Sequence, residues 1–279
     1  MRGRLVLAVT AVAWVGCSGD NVSKSSHALD AYCTAMVVGT GVVDVETDYL
    51  PHVVSCENGA ASFEALKVQA ISARSYLYYR LDRTGDINDG TNDQVYTCAR
   101  APTLEHMMAV AATSGQVLQY QGTQVAAFYV AGAKQTAPGC MGGTDDPTNT
   151  ERYVTYNQGK SGDDIDQTTL GLVNPANLAN RGCMSQNGSD CLSDDGGLAH
   201  DIVRFYYGED IEIVQAEGAC VTPPDPPDAG IAPELDSGPG PGGSGDGDDV
   251  SGGCNTGGGQ GGVLVLLLGL ALVRRQLGL

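Results

Sequence analysis

The sequence predicts an α+β fold: a single disulfide-containing domain with a long central helix and β-hairpins. Three observations carry this prediction. Residues 62–85 place Phe63, Leu66, Ala70, Ala73, Leu77 and Leu81 three or four positions apart, which draws one apolar stripe along a helix. The runs QVLQY and TQVAAFYVAG flank Gln121-Gly122, a turn between two strand-like segments. Helices and hairpins follow one another without the regular strand–helix alternation that a parallel sheet requires.

The elements are justified in order. Residues 42–54 carry β-branched residues interrupted by Asp44, Thr47 and Pro51, and predict a short strand followed by a short helical turn. Ser62 is a suitable N-cap for the long helix, Lys67, Arg74 and Ser75 fall off its apolar stripe, and Gly85 stops it. A second helix is predicted over 103–113, ended by Ser114-Gly115. Residues 137–180 are rich in Gly, Asp, Asn and Thr and read as solvated loop. Their Asp clusters lack the spacing and closing Glu of a calcium loop. Residues 198–207 predict a helix and 211–214 a final strand.

Charge excludes whole classes of function. The 279 residues hold 33 acids and 15 bases, a net charge of −18, and residues 30–220 alone hold 25 acids and 10 bases. No basic stripe exists to neutralise phosphates, so nucleic acid is not an expected partner, and an anionic membrane surface is no better. The ends differ from the middle. Residues 1–17 join Arg2 and Arg4 to an apolar run and end at Cys17, as in a secretory signal with a lipidated cysteine; cleavage after Ala11-Val12-Ala13 is the alternative. Residues 221–253 are rich in Pro, Gly, Ser and Asp, with seven acids and no bases, and predict a linker without a core. Residues 254–279 follow Cys254 with a Gly-rich patch, a short apolar segment and Arg274-Arg275, a sorting or membrane-anchor tail. The expected domain is therefore 30–220, outside the cytoplasm.

Motif chemistry is sparse. His27, His52, His106 and His200 do not pair at zinc spacing, no CxxC occurs, and neither a nucleophile elbow nor a phosphate-binding loop is present. No metal and no cofactor are expected. Removing Cys17 and Cys254 leaves Cys33, Cys56, Cys98, Cys140, Cys183, Cys191 and Cys220, a count that suits an exported, disulfide-stapled chain; because seven is odd, either one thiol is free or Cys17 pairs as well. Cys183 with Cys191, across SQNGSD, and Cys56 with Cys98 are the candidate pairs. Each bridge is worth about 2–4 kcal/mol.

One long ordered pattern stands out. Tyr49-Leu50, Val53-Val54 and Glu57 precede Glu64-Ala65-Leu66-Lys67, Gln69-Ala70 and Ala73-Arg74-Ser75-Tyr76; DGTNDQVY, AVAATSGQVLQYQGTQVAAFY and RGCMSQNGSDCL follow. This succession resembles the SpoIID/LytB family, the stage II sporulation protein D and amidase-enhancer group, over residues 42–214. The C-terminal tail resembles a MYXO-CTERM sorting signal, which implies a sorting protease as a partner. The family resemblance implies a SpoIID-like domain acting on peptidoglycan glycan strands. Glu57 is then the catalytic residue of a lytic transglycosylase. The substrate contacts are Lys67, Gln69, Arg74, Gln94, Tyr96, Ser185 and Gln186. The alternative is a non-catalytic, peptidoglycan-binding enhancer of an N-acetylmuramoyl-L-alanine amidase; a disulfide-stapled surface domain without glycan affinity is the third reading. The sequence departs from the family at Asn88, Asn92 and Asp93, where some members bind zinc, and at Asn180, where the family has His.

The chemistry implied for Glu57 is that of one carboxyl serving twice. It would protonate the leaving glycosidic oxygen, then deprotonate the sugar's own 6-hydroxyl as it attacks, giving a 1,6-anhydro end. That requires a raised pKa and an apolar setting, which Val53, Val54 and Phe63 would supply.

Overall fold

The computed structural model describes residues 29–134 and 136–222. Backbone contacts divide the chain after Ala229, and the described residues lie in the first unit. The expected signal segment with Cys17, the linker beyond Thr222 and the tail with Cys254 fall outside the described residues.

In chain order the elements are β1 (Leu29–Asp30), β2 (Thr34–Val38), β3 (Gly41–Asp44), a π-helical turn (Val45–Tyr49), α1 (Leu50–Asn58), α2 (Phe63–Thr84), β4 (Ile87–Asn88), α3 (Leu104–Ala112), β5 (Gln116–Tyr120), β6 (Thr123–Gln124), β7 (Phe128–Val130), β8 (Cys183–Ser185), α4 (Gln186–Asp194), α5 (Ala199–Tyr207) and β9 (Glu212–Glu217), with short 3-10 turns between β7 and β8. They form a four-stranded sheet in the order β1-β9-β5-β6, a three-stranded sheet β3-β2-β4, and a parallel pair β7-β8.

The 22-residue α2 organises the interior. Leu66, Ala70, Ala73, Leu77 and Leu81 join a core with Val37, Leu50, Val53, Ile87 and Val110. Val68 and Ile71 enter a second core with Leu118, Met184, Ile202, Val203 and Tyr207. The helix is thus a spine between two cores, and each large aliphatic side chain it buries contributes about 1.5–3 kcal/mol. This position also buries its polar residues Gln69, Ser72, Arg74 and Ser75, which must then find partners inside. Ser75 does so by donating to Ile71 O (2.6 Å) and accepting from Leu118 N–H (2.9 Å), which fastens β5 to the spine.

The expected fold class, a single disulfide-containing domain, is corrected. A mixed α+β arrangement of several helices and sheets is seen, and three disulfides cross it: Cys33–Cys220, Cys56–Cys98 and Cys140–Cys191. The suggested Cys183–Cys191 pair is not formed. Among the described residues Cys183 lies buried in β8 without a disulfide, and SQNGSD is not a loop but the cap and first turn of α4, which carries Cys191 toward Cys140.

The helical turn expected within 42–54 is a nine-residue helix, α1. Pro51 does not interrupt it: it stands at the start of α1, where the π-helical turn Val45–Tyr49 passes into the α-helix. The hairpin is shorter than predicted. Gln121 and Gly122, both with left-handed φ (50° and 72°), turn β5 into β6, the backbone that matches strand twist in a two-residue hairpin. The chain then leaves that sheet, and β7 pairs with β8 instead.

Candidate functional site

Glu57 occupies the last turn of α1. Its Oε1 accepts the Val95 N–H at 2.7 Å, and its Oε2 accepts the Gln186 Nε2 at 3.4 Å. Gln186 is the first residue of α4, and its neighbour Ser185 caps that helix by accepting the Gly188 N–H (2.9 Å) while donating to Ala131 O (3.3 Å). Gln186 Nε2 also reaches Gln69 Oε1 on α2 at 3.3 Å. Three segments far apart in sequence thereby converge on one carboxylate. Gln69 Nε2 is buried with no partner among the described residues.

Burial pushes the Glu57 carboxyl above its usual range, while the bonds from Val95 and Gln186 pull it part of the way back. Among the described residues no cation is hydrogen-bonded to it; its two donors there are amides.

A second layer holds Val95 in place. Gln94 Oε1 accepts the Tyr49 hydroxyl (2.7 Å), and its Nε2 donates to Ala73 O (3.1 Å) and the Tyr129 hydroxyl (2.9 Å). Tyr96 stacks on Tyr49 with ring centroids 5.5 Å apart and donates to Asp48 at 3.1 Å. Asp89 accepts the Tyr96 and Thr97 N–H groups at 2.9 and 3.0 Å. The Cys56–Cys98 disulfide bonds the residue before Glu57 to this same segment. Beside it lies an open depression of about 560 Å³ lined by Ser55, Cys56, Glu57, Asn58, Cys98 and Arg100.

The structure thus brings together Glu57, Gln69, Gln94 and Gln186, with Tyr96 and Ser185 in support. It does not bring in Arg74 or Lys67. Arg74 is fully buried and grips Glu46 with Nε and Nη2, both at 2.7 Å, while Nη1 donates to Gln116 O at 3.2 Å. Lys67 pairs with Glu64 one turn away on its own helix at 2.8 Å. Val95, Tyr49 and Tyr129 fall inside the quoted sequence pattern, but sequence reasoning gave them no role at the site. Val95 contributes a backbone N–H, which leaves no side-chain signature. Among the described residues, the one cluster of metal-ligand types is Cys140, Cys191 and Asp195, and both of its sulfurs are spent in a disulfide.

Residues 39–120 match the model of a family described as SpoIID, stage II sporulation protein. A SpoIID/LytB domain is present over these residues. The match takes in α1, α2, α3 and β5 and therefore Glu57, Gln69 and Gln94, whereas Gln186 lies beyond it. No curated protein matches the chain.

This match corrects the expectation of an enzyme. The SpoIID/LytB domain is consistent with a non-catalytic, peptidoglycan-binding amidase enhancer and not with a lytic transglycosylase. The geometry gives a physical account of Glu57 without catalysis: both carboxylate oxygens accept hydrogen bonds from the protein, so the side chain joins α1, the segment around Val95 and α4. Among the described residues no helix is long and apolar enough to cross a membrane.

Proposed function

We propose that the domain binds peptidoglycan and enhances a partner N-acetylmuramoyl-L-alanine amidase without cutting glycan itself. The observation that carries this reading is the SpoIID match over 39–120, which contains Glu57 and most of the polar cluster built on it. Tyr96 and Gln186 are proposed as glycan contacts; Gln69 and Gln94 are fully buried and are proposed to position them, Gln69 through its bond to Gln186 and Gln94 beneath the segment that carries Tyr96. Three disulfides favour an oxidising compartment, so the domain is proposed to work outside the cytoplasm, held by lipid at Cys17 or by the segment at Cys254. Attraction by charge does not serve a domain this acidic on an anionic wall, so recognition falls to shaped contacts.

The test uses insoluble peptidoglycan and an amidase of this class. The protein should sediment with peptidoglycan, accelerate release of stem peptides by the amidase, and alone generate no new glycan ends by mass spectrometry. Gln186→Ala should weaken retention by roughly 3- to 10-fold, as expected for one hydrogen bond. A protein that does not sediment, or that leaves the amidase rate unchanged, overturns the proposal.

A further inference from the structure

On the far side of β7 from the chemistry of Gln94 lies a cavity of about 410 Å³ with no residue in common with the Glu57 depression. Tyr79, Phe128, Leu172, Asn174, Asn177 and Asn180 are its main lining residues, and no acid or base lines it. In a domain with 25 acids this neutrality is unusual, and it selects an uncharged ligand.

The aromatic part is well supported. Phe128 packs on Tyr76 at 5.9 Å, Tyr76 on Tyr79 at 6.3 Å, and the Arg83 guanidinium lies 3.8 Å from the Tyr79 ring centre. Gly171 closes the floor. A Cβ there would come within 3.0 Å of both the Phe128 ring and the Asn180 amide, so its missing side chain is what lets them meet.

The amides are oriented by the protein. Asn180 spends its group on Thr168, donating to Thr168 O (2.9 Å) and accepting its N–H (3.1 Å). Asn174 Oδ1 accepts the Ala176 N–H (2.9 Å), which leaves its Nδ2 donor free among the described residues. Asn177 Nδ2 donates to Leu172 O (2.9 Å), which leaves its Oδ1 acceptor free in the same sense. The cavity therefore offers one fixed donor, one fixed acceptor and apolar ring surface. An acetamido group presents the complementary acceptor and donor, and a pyranose presents a C–H face for an aromatic ring.

We propose that this cavity is a second saccharide subsite that takes one N-acetylhexosamine ring of a glycan strand. The proposal rests on the peptidoglycan reading above and extends it to a surface that lies mostly outside the family match: Tyr79 falls within it, whereas Phe128 and residues 171–180 lie beyond Tyr120.

The experiment titrates the full protein, isotope-labelled, with a β-1,4-linked N-acetylglucosamine tetramer, and measures sedimentation with peptidoglycan in parallel. Amide shifts are expected at Phe128, Leu172 and the Asn174 side chain. Tyr79→Ala should raise the tetramer Kd at least tenfold, and Asn174→Ala by roughly 3- to 10-fold. Asn174 is exposed, so its variant keeps the fold even where Tyr79→Ala does not. Retention on peptidoglycan without shifts near 171–180, or with an unchanged Kd in Asn174→Ala, overturns the subsite and leaves the enhancer reading standing. Failure of the unmutated protein to sediment overturns the enhancer reading and the subsite with it.

Discussion

Glu46 and Glu57 sit at the two ends of one helical stretch, and their surroundings could hardly differ more. Glu46 is gripped by the Arg74 guanidinium through two 2.7 Å bonds, charge against charge. Glu57 has a backbone N–H and a glutamine amide, dipoles against charge, and burial raises its pKa. The first arrangement closes an electrostatic account within the core and fastens α2 to the turn before α1. The second leaves a carboxyl whose ionisation is incompletely compensated, next to an orphaned glutamine donor. A fold can keep a buried acid for strength or for recognition, and the identity of the donors distinguishes the two.

The largest expected effect breaks the Glu46 side of this comparison. Arg74→Met removes the cation and leaves Glu46 buried and alone, which should cost about 3–5 kcal/mol in denaturant unfolding. A loss under 1 kcal/mol would show that water reaches the pair. Next, replacing Cys56 and Cys98 together by Ser should cost about 2–4 kcal/mol, and it should broaden the Val95 amide resonance, because the segment that cradles Glu57 loses its tether. An unchanged Val95 signal would assign its placement to Gln94 alone.

The third effect is a pH slope. The folded Glu57 binds its proton more tightly than the unfolded residue does. Its contribution is therefore most favourable at low pH, falls as pH rises from the ordinary carboxylate value of 4.5, and levels off above the raised folded value. Glu57→Gln should flatten that part of the profile, by no more than about 1.4 kcal/mol per pH unit, in melts of both proteins from pH 4 to 7. Parallel profiles would mean that Glu57 ionises as freely folded as unfolded. The smallest effect is Lys67→Ala, expected at roughly 0.2–0.5 kcal/mol, since its pair with Glu64 is partly exposed and Glu64 keeps the Ala199 N–H at 2.8 Å.

The two acids also mark what a sequence reveals. The stripe from Phe63 to Leu81 was enough to draw α2, because periodicity reports one buried face. It could not show the second face: Gln69, Ser72, Arg74 and Ser75 look like a solvated side, and only partners 28 to 135 residues away make their burial tolerable. The α4 helix was invisible to propensity because QNGSDCLSD is poor in helix formers, although Ser185 ahead of Gly188 was a readable cap. Glu57, Gln94 and Gln186 were legible through the family resemblance. Their meeting was not, since Gln186 stands 129 residues from Glu57. Arg74, which the same resemblance placed on the substrate, is held in the core by Glu46, a residue with no sequence signal of its own.

The Cys33–Cys220 disulfide closes a loop of 187 residues, and β1 runs parallel to the end of β9 just outside it. The chain therefore enters and leaves the domain at one point. Tension applied between residues before Cys33 and residues after Cys220 passes through a covalent bond, and the two cores, the spine helix and the Glu57 cradle carry none of it. A domain built this way can be tugged by its tails while its binding surfaces stay at mechanical rest.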